Sequence, residues 1–469
     1  MKFSNVFLKK LGNKIVFIFI LSSIMFIFSL DISAQVTEEW VARYNGPGSG
    51  VDGAGAVVVD SSGNVYVTGS SRSSGIDSDS ATIKYNSSGV EQWVARYNGT
   101  GNDDDGTGSI AIDSSGNVYV TGSSVGLETN KDYITIKYNN SGVEQWVARY
   151  NGTSDYEDGA DSIAIDSSGN VYVTGYSHGS GTYDDYVTIK YNNAGVEQWI
   201  ARYNGIANDS DYANAIAIDS SGNVYVTGSS EGLGIYFDYV TIKYNNEGVE
   251  QWVERYNATT ANYSDGASAI AVDSSGNVYV TGSSRDLGNI DDYATIKYNS
   301  LGVEEWVARY CGVENGYDYA FAIAIDSSRN VYVTGASAGS GTNLDYVTIK
   351  YNNEGVEQWV ARYNGPGNED DSATTISVDN LGNVYVTGYS YGSGTYDDYA
   401  TIKYNNSGVE QWVARYNGPG NGSDIPDAIA IDSSGNVYVT GIGEVSVTDY
   451  DYVTIKYSQS TFSESFYLY

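Results

Sequence analysis

The sequence predicts an all-β fold, a β-propeller of eight four-stranded blades whose ring is closed by an N-terminal strand completing the last blade. Three observations carry this expectation. Tryptophans stand at 40, 93, 146, 199, 252, 306, 359 and 412, a spacing of 53 residues six times and 54 once, and self-similarity at such a period means stacked or radial repeats. Each unit holds four short runs rich in Val, Ile, Thr and Tyr, which is strand chemistry, and no run has a helical period of useful length. The pieces are also out of phase: the series opens on a fourth run and stops on a third.

Residues 1–34 come first. Four lysines, an apolar stretch from Ile15 to Leu30 and the small Ala34 have the three-part layout of a signal peptide, with an uncleaved membrane anchor as the rival reading; cleavage is expected near Ala34, with no membrane span afterwards. Next comes "VTEEWVARYNG" (Val36–Gly46), a strand without the rest of its unit. From Asp105 to Gly152 one full unit reads "SIAID", "VYVTG", "YITIKY" and "EQWVARY". The links "DSSGN" and "NNSGV" are short and supply the residues of tight hairpin turns. The other two links, such as "SSVGLETNKD" and "NGTGNDDDG", are longer and vary between copies. In a meander, strands alternate direction, so both variable loops fall on one face of the disc. The last unit ends at "DYVTIKY" (Tyr457) with three strands, and Val36–Gly46 supplies its fourth. That closure removes an unpaired edge; an open solenoid would want atypical caps instead. Residues 35–457 are therefore read as the propeller and 458–469 as a short tail. Trp40 and Arg43 become ring-closure residues.

Composition narrows the function classes. Net charge is −34, and −37 once the signal's four lysines and Asp31 are removed. Such a surface repels nucleic acid and anionic lipid. Cys311 is the one cysteine, so packing and not disulfides must hold the fold. A secreted, cell-surface or periplasmic monomer is expected.

The wording "AIAIDSSGNVYVTGSS…DYVTIKYNNSGVEQWVARYNG" resembles the bacterial SBBP family, the seven-bladed β-propeller repeat, over about Val36 to Tyr457, and more distantly NHL-type propeller repeats. The resemblance implies an exported propeller, usually part of surface or secreted bacterial proteins, with no common activity. This chain departs from the family name in having eight units.

Charges recur on schedule. One aspartate series is Asp52, Asp105, Asp158, Asp211, Asp265, Asp318, Asp371 and Asp424; the other runs from Asp79 to Asp451, six residues before the Tyr of each "IKY". Equally regular are the Lys of "IKY" and the Arg of "RY": Arg43, Arg96, Arg149, Arg202, Arg255, Arg309, Arg362 and Arg415. A ring of metal sites is one reading of the aspartates. Equal numbers favour the other, loop caps and partners for the Lys and Arg, which fix register more than they stabilise. Calcium loops want several carboxylates at alternating positions; only Asp103–Asp105 and Glu369–Asp371 come near that density, so no cofactor is expected beyond an occasional calcium. Further acids such as Glu128, Asp155, Glu157 and Asp209 load the variable loops, opposed there only by Arg72, Lys131 and Arg285.

Catalysis needs an unusual residue among specific partners. His178, the one histidine, lies in "GYSHGSGTYDDY", and the seventh unit has Tyr391 at the matching place, which marks drift. No catalytic residue is assigned. Quinoprotein propellers carry Trp soon after the turn glycine, where this chain has Tyr119 after Gly116. The expected function is a non-catalytic binding or scaffold module whose acidic variable-loop face meets an extracellular protein or glycan. The alternatives are an extracellular enzyme, a hydrolase, lyase or quinoprotein, using loop carboxylates near the central channel, and a calcium-dependent adhesion module.

Overall fold

Val, Tyr and Thr alternate in "VYVTG", yet every one of these side chains is buried: Val118, Tyr119, Val120 and Thr121 are fully covered. A strand buried on both faces needs packing from both sides, and neighbouring blades provide it. The computed structural model describes residues 6–460 except 12–13, 22–23, 32–34, 49, 74–76, 234–235, 259–262, 286–289, 313–315 and 447–448. Eight antiparallel four-stranded sheets make up the propeller. We call their strands A to D from the axis outward; in blade 2 they are Asp105–Ile112, Val118–Val125, Lys131–Tyr138 and Glu144–Tyr150. The two central strands are the most buried, and D is a half-exposed outer edge.

The strand B tyrosine welds each blade to the next. Tyr66 of blade 1 packs among Val118, Val120, Ile134, Ile136 and Trp93. Its hydroxyl shares its one proton between Asp60 in its own turn (3.0 Å) and the Asn140 side-chain oxygen of blade 2 (3.2 Å). Lys84 lies 5.0 Å over the ring and reaches the same Asn140. Trp93 donates to the Asn140 carbonyl (3.0 Å). The indole covers Gly142, where a Cβ would stand 2.6 Å from Trp93 Cδ2 and φ is +77°, so this turn requires glycine for space and conformation alike.

The ring closes as the phase of the repeats requires. Gln35–Tyr44 is strand D of blade 8, antiparallel to Asp449–Ser460 with Trp40 opposite Lys456 and Tyr44 opposite Tyr452. Tyr438 of blade 8 packs into blade 1 as Tyr66 packs into blade 2, and Trp40 donates to the Ser87 carbonyl (3.2 Å). The last strand runs three residues past Tyr457. That extension puts Gln459 where five other blades hold a turn asparagine and two a serine: its Nε2 donates to Tyr385 Oη (3.2 Å), and its Oε1 accepts from Lys403. The substitution is incomplete, because the Trp412 indole N–H is buried without a partner.

Outside the ring, Val6–Leu11, Lys14–Leu21 and Ile24–Asp31 form a three-stranded antiparallel sheet. The expected cleavage point beside Ala34 and tail residues 461–469 lie outside the described residues. No helix among the described residues is long and apolar enough to cross a membrane.

Candidate functional site at the channel mouth

The A strands contact one another blade to blade around the axis, including the last with the first. In each, register with strand B shifts after the third residue, between Ala54 and Ala56 in blade 1. A bulge re-aims the extra side chain; here it turns that residue out of the blade toward the lumen. Around the ring the bulged positions are Gly55, Gly108, Asp161 and Asn214, then Ser268, Phe321, Thr374 and Asp427. The ring is tight. A Cβ on Gly55 would come within 3.3 Å of Gly108 Cα, Asn214 donates to the Ala267 carbonyl (2.8 Å), and Thr374 donates to the Pro426 carbonyl (3.0 Å).

Strand residues that differ between blades gather at the long-loop end, one and three residues after the first aspartate and after the glycine of "VYVTG". Their chemistry splits the mouth in two. Blades 1–3 are open: Gly53, Gly106, Gly159, Ser70 and Ser123 line a cleft of about 380 Å³ that ends at Asp161 and Tyr176. Blades 4–6 are aromatic: Tyr212, Phe237 and Tyr319 wall a cleft of about 370 Å³ floored by Gly266. Tyr176 meets Tyr212 edge-on at 5.6 Å, and Tyr319 stacks between Tyr317 (6.0 Å) and Phe321 (6.3 Å). At the rim Arg285 grips Asp291 through two hydrogen bonds of 2.7 and 2.8 Å. His178 joins this rim, its ring 4.3 Å from Tyr156 and Nδ1 3.1 Å from Asp184, which also accepts from Tyr212 Oη (3.0 Å).

Two lumen carboxylates flank the double-glycine gap, Asp427 before Gly55 and Asp161 after Gly108. Both face the channel's water, but the surrounding strands strip enough solvent to push each carboxyl up to about 7. Such groups can hold or release a proton near neutrality. Larger clefts on the opposite face are no rival: the one of about 550 Å³ between the turns of blades 7 and 8 recurs between blades 1 and 2 at about 430 Å³, so it belongs to the repeat.

The recurring charges lie at the blade junctions. Seven arginines pair with the strand C aspartate of their own blade, as Arg96 with Asp79 (2.9 Å) and Arg202 with Asp185 (2.7 Å). Arg43 instead lies against Tyr416, to whose hydroxyl it donates. The first aspartate series caps the loop before it: Asp52 accepts from Gly46 N and Arg72 N, both at 2.9 Å. Asp158, Asp371 and Asp424 accept from two backbone N–H groups in the same way, and Asp105, Asp211, Asp265 and Asp318 take at least the loop bond or the strand B bond. Among the described residues no recurring lysine pairs with either series. The dense acidic runs come apart: Asp105 and Asp371 are buried at junctions, Asp103 and Asp104 approach Asp77 on the surface, and Glu369 and Asp370 tie to Asn343 and Leu344.

A family model described as a β-propeller repeat matches residues 39–77, 92–126, 145–181, 198–235, 251–286, 305–341, 358–394 and 411–441. An uncharacterised WD repeat-containing protein of Acanthamoeba polyphaga mimivirus is 23% identical over 449 residues, covering 76% of this chain and 31% of its own length; the chain thus spans under a third of that relative. Among solved structures, a protein of unknown function from Dyadobacter fermentans is similar at TM-score 0.43 and 10% identity, over 91% of this chain and 99% of that one. The β-propeller domain of the Trilobed protease from Pyrococcus furiosus is similar at TM-score 0.43 and 8% identity, over 76% and 98%.

Proposed function

Because the chain belongs to the SBBP β-propeller repeat family, matched in all eight blades, we propose that it is an exported, non-catalytic binding module that takes its partner at the channel mouth. The carrying observation is where the blades stop repeating. Residues that build the blade recur almost unchanged, whereas those around the mouth run from glycine to tyrosine and from serine to aspartate. Aromatic walls with polar groups at the rim suit a ligand with apolar faces and hydroxyl edges, so an envelope glycan is the favoured partner and a surface protein the second. Immobilised envelope glycans should retain the wild type and release a Tyr176→Ala/Tyr212→Ala/Tyr319→Ala variant of unchanged circular dichroism. Equal retention of both would defeat the reading.

Asp161 and Asp427 favour one second reading, an enzyme with channel carboxylates as acid and base. Turnover of an envelope glycan that vanishes in Asp161→Asn and Asp427→Asn, with retention intact, would establish it in place of the first.

A further inference from the structure

At each junction the strand C aspartate of one blade faces the first aspartate of the next, and the residue after "RY" lies between them. Asp292, Cys311 and Asp318 show the spacing: one ligand-type atom from each lies within 4.8 Å of the others. Elsewhere an asparagine occupies the position of Cys311. The junction of blades 3 and 4 is the clearest case. Asp185 is 2% exposed and Asp211 0%, and Asp185 Oδ1, Asn204 Oδ1 and Asp211 Oδ1 are all buried without a hydrogen-bond partner. The Ser230 hydroxyl also faces Asp211, but it does not meet hydrogen-bond geometry at Oδ1. The same carboxylate oxygen is orphaned in Asp132, Asp345, Asp398 and Asp451, whose partners across the junction, Asp158, Asp371, Asp424 and Asp52, accept one backbone N–H bond on each oxygen and have only further lone pairs to offer.

Native proteins rarely leave a buried carboxylate oxygen unpaired, still less two carboxylates facing each other. Arg202 takes Asp185 Oδ2 and Gly205 N takes Asp211 Oδ2 (2.6 Å), so the orphaned oxygens are the spare ones. Burial first, and then the Asp185 charge, raise the Asp211 carboxyl. Asn204 Nδ2 donates to Asn208 Oδ1 (2.9 Å), which leaves its own Oδ1 for the cluster. Asn98, Asn364 and Asn417 are anchored alike on Asn102, Asn368 and Asn421. Two carboxylate oxygens and an amide oxygen form a hard donor set of the kind calcium takes, with water completing the shell.

We propose that the blade junctions are divalent-cation sites of calcium's class, each built from an aspartate, an asparagine and the next blade's aspartate, and typified by Asp185, Asn204 and Asp211. The cation would pin adjacent blades at the loop face, independently of any ligand at the mouth. At the junction of blades 5 and 6 Cys311 gives up the amide oxygen for a soft sulfur, poorly matched to calcium. At that of blades 4 and 5 Asn257 turns its amide nitrogen to Asp238 Oδ1 (2.8 Å), satisfying the oxygen internally.

The test is equilibrium dialysis of the full chain, first stripped with chelator, against low-millimolar calcium, with melting followed in parallel. Several calcium ions per chain and a melting rise of about 10 °C are expected, unmatched by sodium at equal ionic strength. The Asn98→Ala/Asn204→Ala/Asn364→Ala/Asn417→Ala variant keeps the net charge and both aspartate series, and should lose about half the bound calcium. Cys311→Asn should gain one ion, a readout that survives even if the fourfold variant fails to fold. Unchanged stoichiometry in both variants, or a calcium effect reproduced by sodium, would show diffuse counterions only and overturn the proposal.

Discussion

Gly443→Ser should stabilise the protein at its seam. In seven blades a serine stands two residues after "VYVTG" and its hydroxyl accepts from the blade's arginine, at 2.6 Å from Arg96 to Ser71 and 2.7 Å from Arg202 to Ser177. Blade 8 has Gly443 there, and Arg43 Nη1 is buried without a partner. A Cβ at 443 would stand 3.7 Å from Arg43 Nη1, one bond short of contact, 2.6 Å from Val453 Cγ2 and 2.8 Å from Asp424 Oδ1, which must give way as the matching aspartates do beside the serines of the other blades. The valine is no bar, because Ser177, Ser230 and Ser337 coexist with Val187, Val240 and Val347 at the same register. A hydrogen bond to a charged group contributes about 1.5–3 kcal/mol, and replacing a strand glycine adds roughly 0.5 kcal/mol. Turning Val453 and fixing the hydroxyl offset part of this. A net gain of about 1–2 kcal/mol is expected, read as a higher urea midpoint at unchanged slope. In an Arg43→Met background the serine should gain under about 0.5 kcal/mol. An equal gain in both backgrounds, or a loss in the wild type, would refute the account of the seam.

Deleting Gln35–Tyr44 strips the outer strand from blade 8 and leaves Asp449–Ser460 as an open edge; calorimetry should show a loss above about 5 kcal/mol or aggregation, and native-like melting would contradict the closed ring. Arg329 holds φ +65° where seven turns have glycine, and its partly exposed guanidinium pairs with the buried Asp273 (3.1 Å) and donates to the Ser275 hydroxyl (2.6 Å). Without the arginine the buried Asp273 keeps its bonds from Ser275 N, Asn277 N and Asn277 Nδ2, and relief of left-handed strain, about 1–2 kcal/mol, exceeds what a pair to a partly exposed guanidinium returns, so Arg329→Gly should raise the urea midpoint; a fall would contradict the strain argument. Stability in chelator should peak between about pH 4 and 6. Solvent stripped away by the surrounding strands holds the channel-facing Asp161 and Asp427 up to about 7, and burial holds Asp424 and Asp451 up to about 6, so their contribution is complete below the ordinary carboxyl value and is lost as pH rises through 6–7. For the turn aspartates such as Asp60, burial alone would raise the carboxyl, but hydrogen bonds from Asn64, Ser62 and Tyr66 outweigh it and hold it low; their contribution is lost as pH falls below about 4. Urea midpoints rising steadily from pH 4 to 8 would refute this assignment.

The blade was legible because its constraints are local. Turn glycines, the Trp93 family and the strand B tyrosines announce themselves at fixed spacing, and the out-of-phase ends foretold the pairing of Gln35–Tyr44 with the last strand. Gln459 was not legible: it belonged to what reads as tail, and only the register shows it replacing a turn asparagine. Equal counts suggested that all recurring cations pair with aspartates. Geometry divides them, arginines to the strand C series and lysines to turn asparagines and tyrosine rings, because a count carries no direction. Asn204 passed unnoticed inside "RYNG", a word that reads as strand and turn. Asp161 and Asp427 were missed in the same way, as single variants in a repeated strand; the signal was present, since their position holds Gly, Asp, Asn, Ser, Phe or Thr while its neighbours barely change.

The central claim is that binding belongs to the channel mouth and not to the repeated turns. Hydrogen exchange with and without the envelope glycan that the protein retains tests it most directly. Protection should concentrate in peptides spanning the start of strand A and the loops around Tyr176, Tyr212 and Tyr319, with "DSSGN" turns such as Asp60–Asn64 unchanged. Protection centred on those turns, with the mouth exchanging as in the free protein, would contradict it.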